Sequence, residues 1–178
     1  MKLEIPFIEQ IFKEQLTLNF KITWRENLER NKKRLFWAIP FIIIGSIMLY
    51  GNDNLGFISV AIGIHYVFNF FNYYLSYKKS KKKYFDLVAS EIDNEKRANQ
   101  NAIWNFNEDH FGMKNYKYEV KIKWGAFKSY RIISDNLFLD LDVGTNLSYI
   151  LGEKEIGLEK YNEVVEFVKH KISLKINS

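Results

Sequence analysis

The side chains that could do chemistry are few in this chain, and they lie far apart. The three histidines, His65, His110 and His170, fall in a long apolar run, in a predicted turn and in a predicted final helix. A zinc site or a catalytic triad needs its members in direct contact, and nothing in the spacing brings these three together. The chain has no cysteine, which excludes a disulfide, a thiolate metal site and a cysteine nucleophile.

One acidic stretch is similar to a calcium-binding loop, but it is incomplete. The sequence DLDVGTN places Asp140, Asp142, Gly144 and Asn146 at alternate positions, whereas Leu151 stands where a bidentate glutamate should close the loop. The same alternation suits a β-strand whose solvent-exposed face carries the two aspartates, and we favour that interpretation. No glycine-rich phosphate loop is found elsewhere. The sequence therefore predicts no cofactor, no metal and no enzymatic activity.

Two long runs without charge dominate the middle of the chain. Residues 35–52 and residues 54–77 contain no charged side chain, and Asp53 separates them within the turn-like sequence GNDN. A helix of about 20 apolar residues can cross the hydrocarbon core of a bilayer. The alternative is a pair of buried helices in a soluble protein, but such helices usually carry a charged face. The sequence therefore predicts a transmembrane helical hairpin over residues 35–77.

Basic residues flank this hairpin on both sides. The sequence ENLERNKKR precedes it and KKSKKK follows it, whereas the loop between the helices carries only Asp53. The positive-inside rule then places both termini in the cytoplasm and the loop outside. Tyr73, Tyr74 and Tyr77 suit an interfacial aromatic belt. The basic side chains expected to contact anionic lipid headgroups and to fix the topology are Lys32, Lys33, Arg34, Lys78, Lys79, Lys81, Lys82 and Lys83.

Nucleic-acid binding is the rival explanation of the lysines. A nucleic-acid-binding domain should carry further basic residues on its folded surface. Residues 84–178 contain 13 Lys/Arg and 15 Asp/Glu, so this half of the chain is slightly acidic. We therefore expect no specific nucleic-acid partner.

Small and polar residues mark the second apolar run. Gly56, Ser59 and Gly63 fall on one helical face, where small residues let helix backbones approach closely. We expect them to pack the hairpin against itself, with contacts between two copies of the chain as the alternative. His65 and Asn69 lie one turn apart, and an ionisable group inside a membrane suggests proton or ion passage. We favour a local hydrogen bond between these two side chains, because the runs hold no acidic partner.

The region before the hairpin predicts a strand followed by a helix. In LTLNFKITW the residues Leu16, Leu18, Phe20, Ile22 and Trp24 alternate with polar ones, which is typical of a half-buried strand. A capping box formed by the threonine and glutamate of TWRE then predicts the start of the juxtamembrane helix.

The region after the hairpin predicts a helix over residues 84–99 and then a series of short strands. The strand candidates are AIWNFNED, HFGMKNY, KYEVKIKW, FKSYRIIS, LFLDLD and LSYILGE. Trp104 and Trp124 are expected in the core of this sheet. The strand at residues 16–24 is expected to join it, since a lone strand is unstable in water. A closing helix should bury Leu158, Tyr161, Val164, Val165 and Val168 on one face.

The order of these pieces resembles the YcxB-like family of bacterial membrane proteins. The resemblance rests on LTLNFKITWREN, the hairpin at 35–77, IKWGAFKSYRI, DNLFLDLD and YILGEKEIGLEKYNEVVEFVKHKI. It implies a two-helix membrane hairpin and a C-terminal β domain with a fold like that of pleckstrin-homology (PH) domains. The family has no established activity, so the resemblance implies architecture and topology only.

The expected fold class is α+β, with a transmembrane hairpin and a small antiparallel PH-like β domain closed by a C-terminal helix. Its parts are a strand and juxtamembrane helix at 1–34, the hairpin at 35–77, a basic helix or linker at 78–101 and the cytosolic domain at 102–178. We expect a non-enzymatic protein anchored in the bacterial cytoplasmic membrane, with a cytosolic interaction or regulatory domain. The alternatives are an immunity protein that neutralises a membrane-directed toxin and a ligand-gated membrane effector of antiphage defence. The expected partners are anionic lipids, a protein partner or toxin, and a second copy of the chain.

Overall fold

The computed structural model describes residues 1–142 and 147–176. Within them the chain forms β1 (Lys2–Ile5), α1 (Glu9–Tyr50), α2 (Leu55–Ala98), β2 (Ala102–Phe106), β3 (His110–Lys114), β4 (Glu119–Lys123), a 3₁₀ turn (Trp124–Ala126), β5 (Phe127–Ile133), β6 (Asn136–Leu141), β7 (Ser148–Gly152), α3 (Glu153–Ile156) and α4 (Leu158–Ile176). These elements fall into two compact units. We call Met1–Leu18 with Val88–Ser178 the α+β unit, and Asn19–Leu87 the helical unit.

The α+β unit contains two antiparallel sheets. The first has the strand order β1-β2-β3-β4, and the second has the order β5-β6-β7. Strand β1 belongs to the first sheet although both long helices separate it from β2 in the sequence. In this pairing Leu3 lies opposite Trp104 and Ile5 opposite Ala102. The expected α+β class, with two long apolar helices and small antiparallel sheets, is confirmed. Each of the six strands expected after the hairpin is present.

The core of the α+β unit is formed by the inner faces of the sheets and one face of α4. Leu3 and Ile5 are buried while Lys2 and Glu4 are exposed, as the two-residue period of a strand requires. Of the five residues predicted on the buried face of α4, Tyr161, Val164 and Val168 are buried, whereas the prediction for Leu158 is wrong, because this first residue of the helix is exposed. The buried cluster consists of Leu3, Ile5, Trp104, Phe106, Phe111, Met113, Trp124, Phe127, Leu137, Leu139, Leu151, Tyr161, Val164, Val168 and Ile172.

The helical unit consists of the facing parts of α1 and α2. The turn between them is capped by Asp53, whose carboxylate accepts a hydrogen bond from the backbone N–H of Leu55 at 2.9 Å. Below the apolar runs, the ring of Phe20 contacts the rings of Tyr77 and Tyr84, with centroids 5.9 Å and 5.0 Å away. Trp24 packs edge-on against Tyr77. These aromatic contacts join the two helices at the end of the apolar runs, where polar residues begin in the sequence.

The strand predicted over residues 16–24 is wrong, because these residues lie inside α1. Leu16, Phe20 and Trp24 are spaced four residues apart, so they also share one face of a helix. Phe20 is 5% exposed on that face. The predicted helix start at Thr23 is wrong as well, since α1 begins at Glu9. The N-terminal contribution to the sheet is real, but β1 supplies it.

Candidate membrane anchor and ligand cavity

The two helices of the helical unit approach closely at glycines. A Cβ atom on Gly56 would lie 2.5 Å from the carbonyl oxygen of Gly45, and one on Gly63 would lie 3.0 Å from the carbonyl oxygen of Ala38. The Ser59 hydroxyl donates a hydrogen bond to the carbonyl oxygen of Phe41 at 2.8 Å. The sequence-predicted packing residues Gly56, Ser59 and Gly63 therefore all face the first helix of the same chain.

The outer surface of this helix pair is apolar and exposed. Phe36, Ile47, Phe57 and Phe68 are each between 62% and 68% exposed. By length and composition, the helices Asn27–Tyr50 and Leu55–Ala98 can each cross a membrane, and only 11% of the most apolar window in each is buried. The part of α2 from residue 55 to residue 77 alone is about 35 Å long, which exceeds the hydrocarbon thickness of about 30 Å. Exposure of this kind is unfavourable in water, and it suits a lipid environment.

The basic residues predicted to anchor the hairpin all point outward. Lys78 lies over the ring of Tyr74, with its Nζ 4.9 Å from the ring centroid. Of the three predicted belt residues, Tyr74 is exposed, whereas Tyr73 and Tyr77 pack against Trp24. The exposed basic side chains are Lys32, Lys33, Arg34, Lys78, Lys79, Lys81, Lys82 and Lys83.

His65 and Asn69 make the local contact expected of them. The Asn69 Nδ2 and the His65 Nε2 are 2.8 Å apart, within hydrogen-bonding distance. His65 also lies beside Tyr66 on its own helix. Within residues 54–77 the chain offers no carboxylate to either side chain. The pair is therefore satisfied as a polar contact within one helix.

The acidic stretch at the end of β6 has a structural role in the second sheet. Asp140 forms an ion pair with Arg131 on β5, with a Nε–Oδ2 distance of 2.6 Å, and it accepts a hydrogen bond from Ser148 on β7 at 2.6 Å. Burial works against the charged form, but the hydrogen bonds from Arg131 and Ser148 outweigh it, so the pKa of this carboxyl lies below its usual range. One side chain thus connects all three strands of the sheet.

The other candidates for chemistry stay apart in the structure. His110 contacts Asn107 at 3.2 Å, and His170 is exposed on α4. Two members of the incomplete calcium loop, Gly144 and Asn146, lie outside the described residues. In the part of the chain that is described, no three histidine, aspartate or glutamate side chains come close enough to hold a metal ion.

We expect Asp140→Asn to destabilise the α+β unit at neutral pH by about 1–3 kcal/mol, because Arg131 loses its charged partner. The guanidinium is 40% exposed, which favours the lower end of that range. Because the folded pKa of Asp140 is lowered, its contribution is present above the unfolded pKa of about 3.9 and is lost as the pH falls through the folded value.

Urea unfolding at neutral and acidic pH measures this difference. Asp142→Asn is the matched control, since it removes the same charge from an exposed neighbour on the same strand end. A stability gap between wild type and Asp140→Asn that stays constant on acidification would contradict the role of the charged carboxylate.

The α+β unit contains a cavity of about 540 Å³. Its walls come from four separate stretches of chain: residues 5–16, 91–104, 113–118 and 147–155. The volume falls within the range of small-molecule binding sites, which is roughly 300–1,000 Å³. The aromatic side chains in its wall are Phe7, Phe12, Trp104, Tyr118 and Tyr149.

Polar side chains line one part of this cavity. Gln15 is 5% exposed, and its amide donates a hydrogen bond to Glu155 Oε2 at 2.6 Å. The same oxygen accepts a hydrogen bond from the backbone N–H of Gly152 at 2.6 Å. Burial raises the pKa of the Glu155 carboxyl, and the hydrogen bonds from Gly152 and Gln15 oppose that rise. Glu91 and Glu95 of α2 complete the acidic part of the wall.

Sequence reasoning missed this cavity. Residues 5–16 and 91–99 were expected to lie outside the β domain, whereas both stretches belong to the α+β unit. The sequence held no signal for it, because the burial of Gln15 on the same helical face as Phe12 is visible only in the structure.

Comparison with known proteins found no family model, no curated protein and no solved structure that matches this chain.

Proposed function

We propose that this is a non-enzymatic protein anchored in the bacterial cytoplasmic membrane, whose α+β unit acts in the cytoplasm as a binding or regulatory domain. One observation carries the proposal: two helices long enough to cross a bilayer expose large apolar side chains along their length. Basic residues flank the hairpin on both sides in the sequence, and residues 35–77, which include the turn, contain no lysine or arginine. This distribution matches a hairpin with a cytoplasmic open end.

The pairing of β1 with β2 supports the same topology. Strand β1 precedes α1, and β2 follows α2, yet the two strands share four paired positions. A single folded unit cannot stand on both sides of a membrane. The start of α1 and the end of α2 therefore belong on one side of the membrane. The positive-inside rule makes that side the cytoplasm.

The basic side chains at the open end suit contact with anionic lipid. Each lysine or arginine near such a surface contributes about 1 kcal/mol. Because none of the eight side chains is buried, all can reach headgroups without a change in the helices. We assign them a role in orientation and lipid contact, whereas the apolar surface supplies the anchorage.

The arrangement of the α+β unit supports a PH-like fold. Seven antiparallel strands divide into sheets of four and three, and the C-terminal helix α4 contributes four side chains to the core. In this proposal the two long helices are an insertion between the first and second strands. The same order of elements supports the resemblance to the YcxB-like family.

A ligand-gated membrane effector is the second candidate. The cavity favours it, because the cavity wall includes residues from the start of α1 and from the end of α2. Occupation of the cavity would act directly on the two helices that continue into the apolar hairpin.

Washing of membranes with high salt and with carbonate tests the anchorage. The protein is expected to stay in the membrane pellet, because the transfer of each apolar run to lipid is favourable by a few kcal/mol. The control variant replaces Lys78, Lys79, Lys81, Lys82 and Lys83 by glutamine, and it should stay in the pellet as well. Release of the wild-type protein by salt alone would show that the lysines, and not the hairpin, hold it.

A further inference from the structure

The charge of the cavity wall is opposite to that of the chain. The whole chain carries a formal net charge of +5. Among the described residues that line the cavity there are three carboxylates, Glu91, Glu95 and Glu155, and there is no lysine or arginine. An anionic ligand would face these carboxylates, whereas a cation would find counter-charges on α2 and on α3.

The partners of these carboxylates show which of them can serve a ligand. Glu91 already accepts hydrogen bonds from the Tyr116 hydroxyl at 3.0 Å and from Lys117 Nζ at 3.2 Å. Both hydrogen bonds to Glu155 end on Oε2, so Oε1 remains open. The Glu95 carboxylate makes no hydrogen bond or ion pair with any residue of the described chain. Two carboxylates thus keep acceptor capacity.

The rest of the wall is aromatic and apolar, which decides the kind of cation. Faces of tryptophan and tyrosine attract cations, and this attraction is strongest for a charge shielded from water by alkyl groups. Trp104, Tyr118 and Tyr149 all line the cavity. A bare metal ion does not fit, because no group of three acidic or histidine side chains among the described residues converges on a point.

We propose that the cavity binds a small organic cation, an alkylammonium whose charged nitrogen is surrounded by apolar groups. Glu95 and Glu155 supply the counter-charge, and Trp104, Tyr118 and Tyr149 supply the aromatic wall. The inference rests on the proposed function in so far as it takes the α+β unit to be a binding domain. It names the ligand class of that unit.

Binding to the full chain in maltoside micelles tests the proposal. The probes are choline, benzyltrimethylammonium and 3,3-dimethylbutan-1-ol. The last is the neutral isostere of choline, with carbon in place of nitrogen. Calorimetry gives the affinity, and the tryptophan fluorescence of the chain, to which Trp104 of the cavity wall contributes, gives a second readout of binding. We expect at least one of the cations to bind about tenfold more tightly than the neutral isostere, because aromatic faces and carboxylates both favour the charge.

Three variants separate binding in the cavity from general electrostatics. Glu95→Gln should weaken cation binding by about threefold to tenfold. Asp93→Asn removes the same charge from an exposed position of the same helix outside the cavity, and it should leave the affinity unchanged. Tyr118→Leu keeps the wall apolar, so it should weaken binding of the cation more than binding of the isostere. Thermal unfolding of each variant checks that the α+β unit is intact.

Competition by a phosphocholine detergent distinguishes a lipid headgroup from a free alkylammonium as the source of the cation. Displacement of the probe assigns the site to a headgroup, and no displacement assigns it to a soluble ion. Equal affinity for choline and its isostere, no binding of either cation, or an unchanged affinity in Glu95→Gln would each overturn the inference. These results are independent of the carbonate wash. A protein that stays in the membrane but binds no cation would refute the proposed ligand class and leave the proposed membrane anchorage intact.

Discussion

Replacing both Leu3 and Ile5 by alanine is expected to unfold most of the α+β unit while the helical unit stays folded. The two side chains are 6% and 5% exposed and belong to the core cluster, although they lie almost a hundred residues from the rest of their sheet. Each large-to-small change in a core costs about 2–5 kcal/mol. The sum of about 4–10 kcal/mol rivals the total stability of a typical domain, about 5–15 kcal/mol.

Urea unfolding in detergent, followed by tryptophan fluorescence, measures this loss. Trp104 and Trp124 lie in the affected core and report on the α+β unit. Lys2→Ala is the matched control, because it changes an exposed side chain of the same strand and should shift stability by less than about 0.5 kcal/mol. Equal midpoints for the double variant and the control would show that the unit folds without β1.

Gly56→Leu is expected to force the two helices of the helical unit apart. A Cβ at this position would lie 2.5 Å from a backbone oxygen of Gly45 and 2.8 Å from the backbone nitrogen of Leu49. Backbone atoms cannot rotate away as a flexible side chain can. Overpacking costs about 1–3 kcal/mol, and we expect the upper end here. The separation should also break the hydrogen bond from Ser59 to Phe41, since that bond crosses the same interface.

Spin labels attached to cysteines at Ile43 and Ile62 measure the separation directly, because the chain has no cysteine of its own. Both positions are exposed on the outer surface of the helix pair. The distance between the labels should increase and its distribution should broaden in Gly56→Leu. Ala61→Leu, which enlarges an exposed position of the same helix, should leave both unchanged. An unaltered distance in Gly56→Leu would mean that this glycine does not determine the approach of the helices.

The elements with one unambiguous period could be predicted from the sequence. Strands β2 to β7 are short and are bounded by turn residues, and β4 also alternates clearly, whereas the apolar runs are long enough only for helices. Residues 16–24 could not be assigned in this way. The residues Leu16, Phe20 and Trp24 satisfy a period of two and a period of four together, and the choice between them depends on Tyr77 and Tyr84 of the other helix.

The helical hairpin and the cavity differ in how far their residues could be predicted from the sequence. Gly56, Ser59 and Gly63 share one helical face, so local spacing was enough to single them out. The cavity is assembled from four stretches that are distant in the chain, and its carboxylates are ordinary helix residues until the fold brings them beside Trp104 and Tyr149. Only tertiary structure creates such a site.

The pairing of β1 with β2 has a consequence for biosynthesis. Strand β1 leaves the ribosome first, but its partner is translated only after both long helices have been made. Leu3 and Ile5 therefore stay without their core until both helices have been made, and in the proposed membrane topology until the hairpin has inserted. A chain that inserted only one of its helices would hold the two strands on opposite faces of the membrane, and its first sheet could not close. In the proposed membrane topology, closure of that sheet thus depends on correct insertion, and a chain that failed to close it would keep an exposed apolar strand that quality-control proteases could recognise.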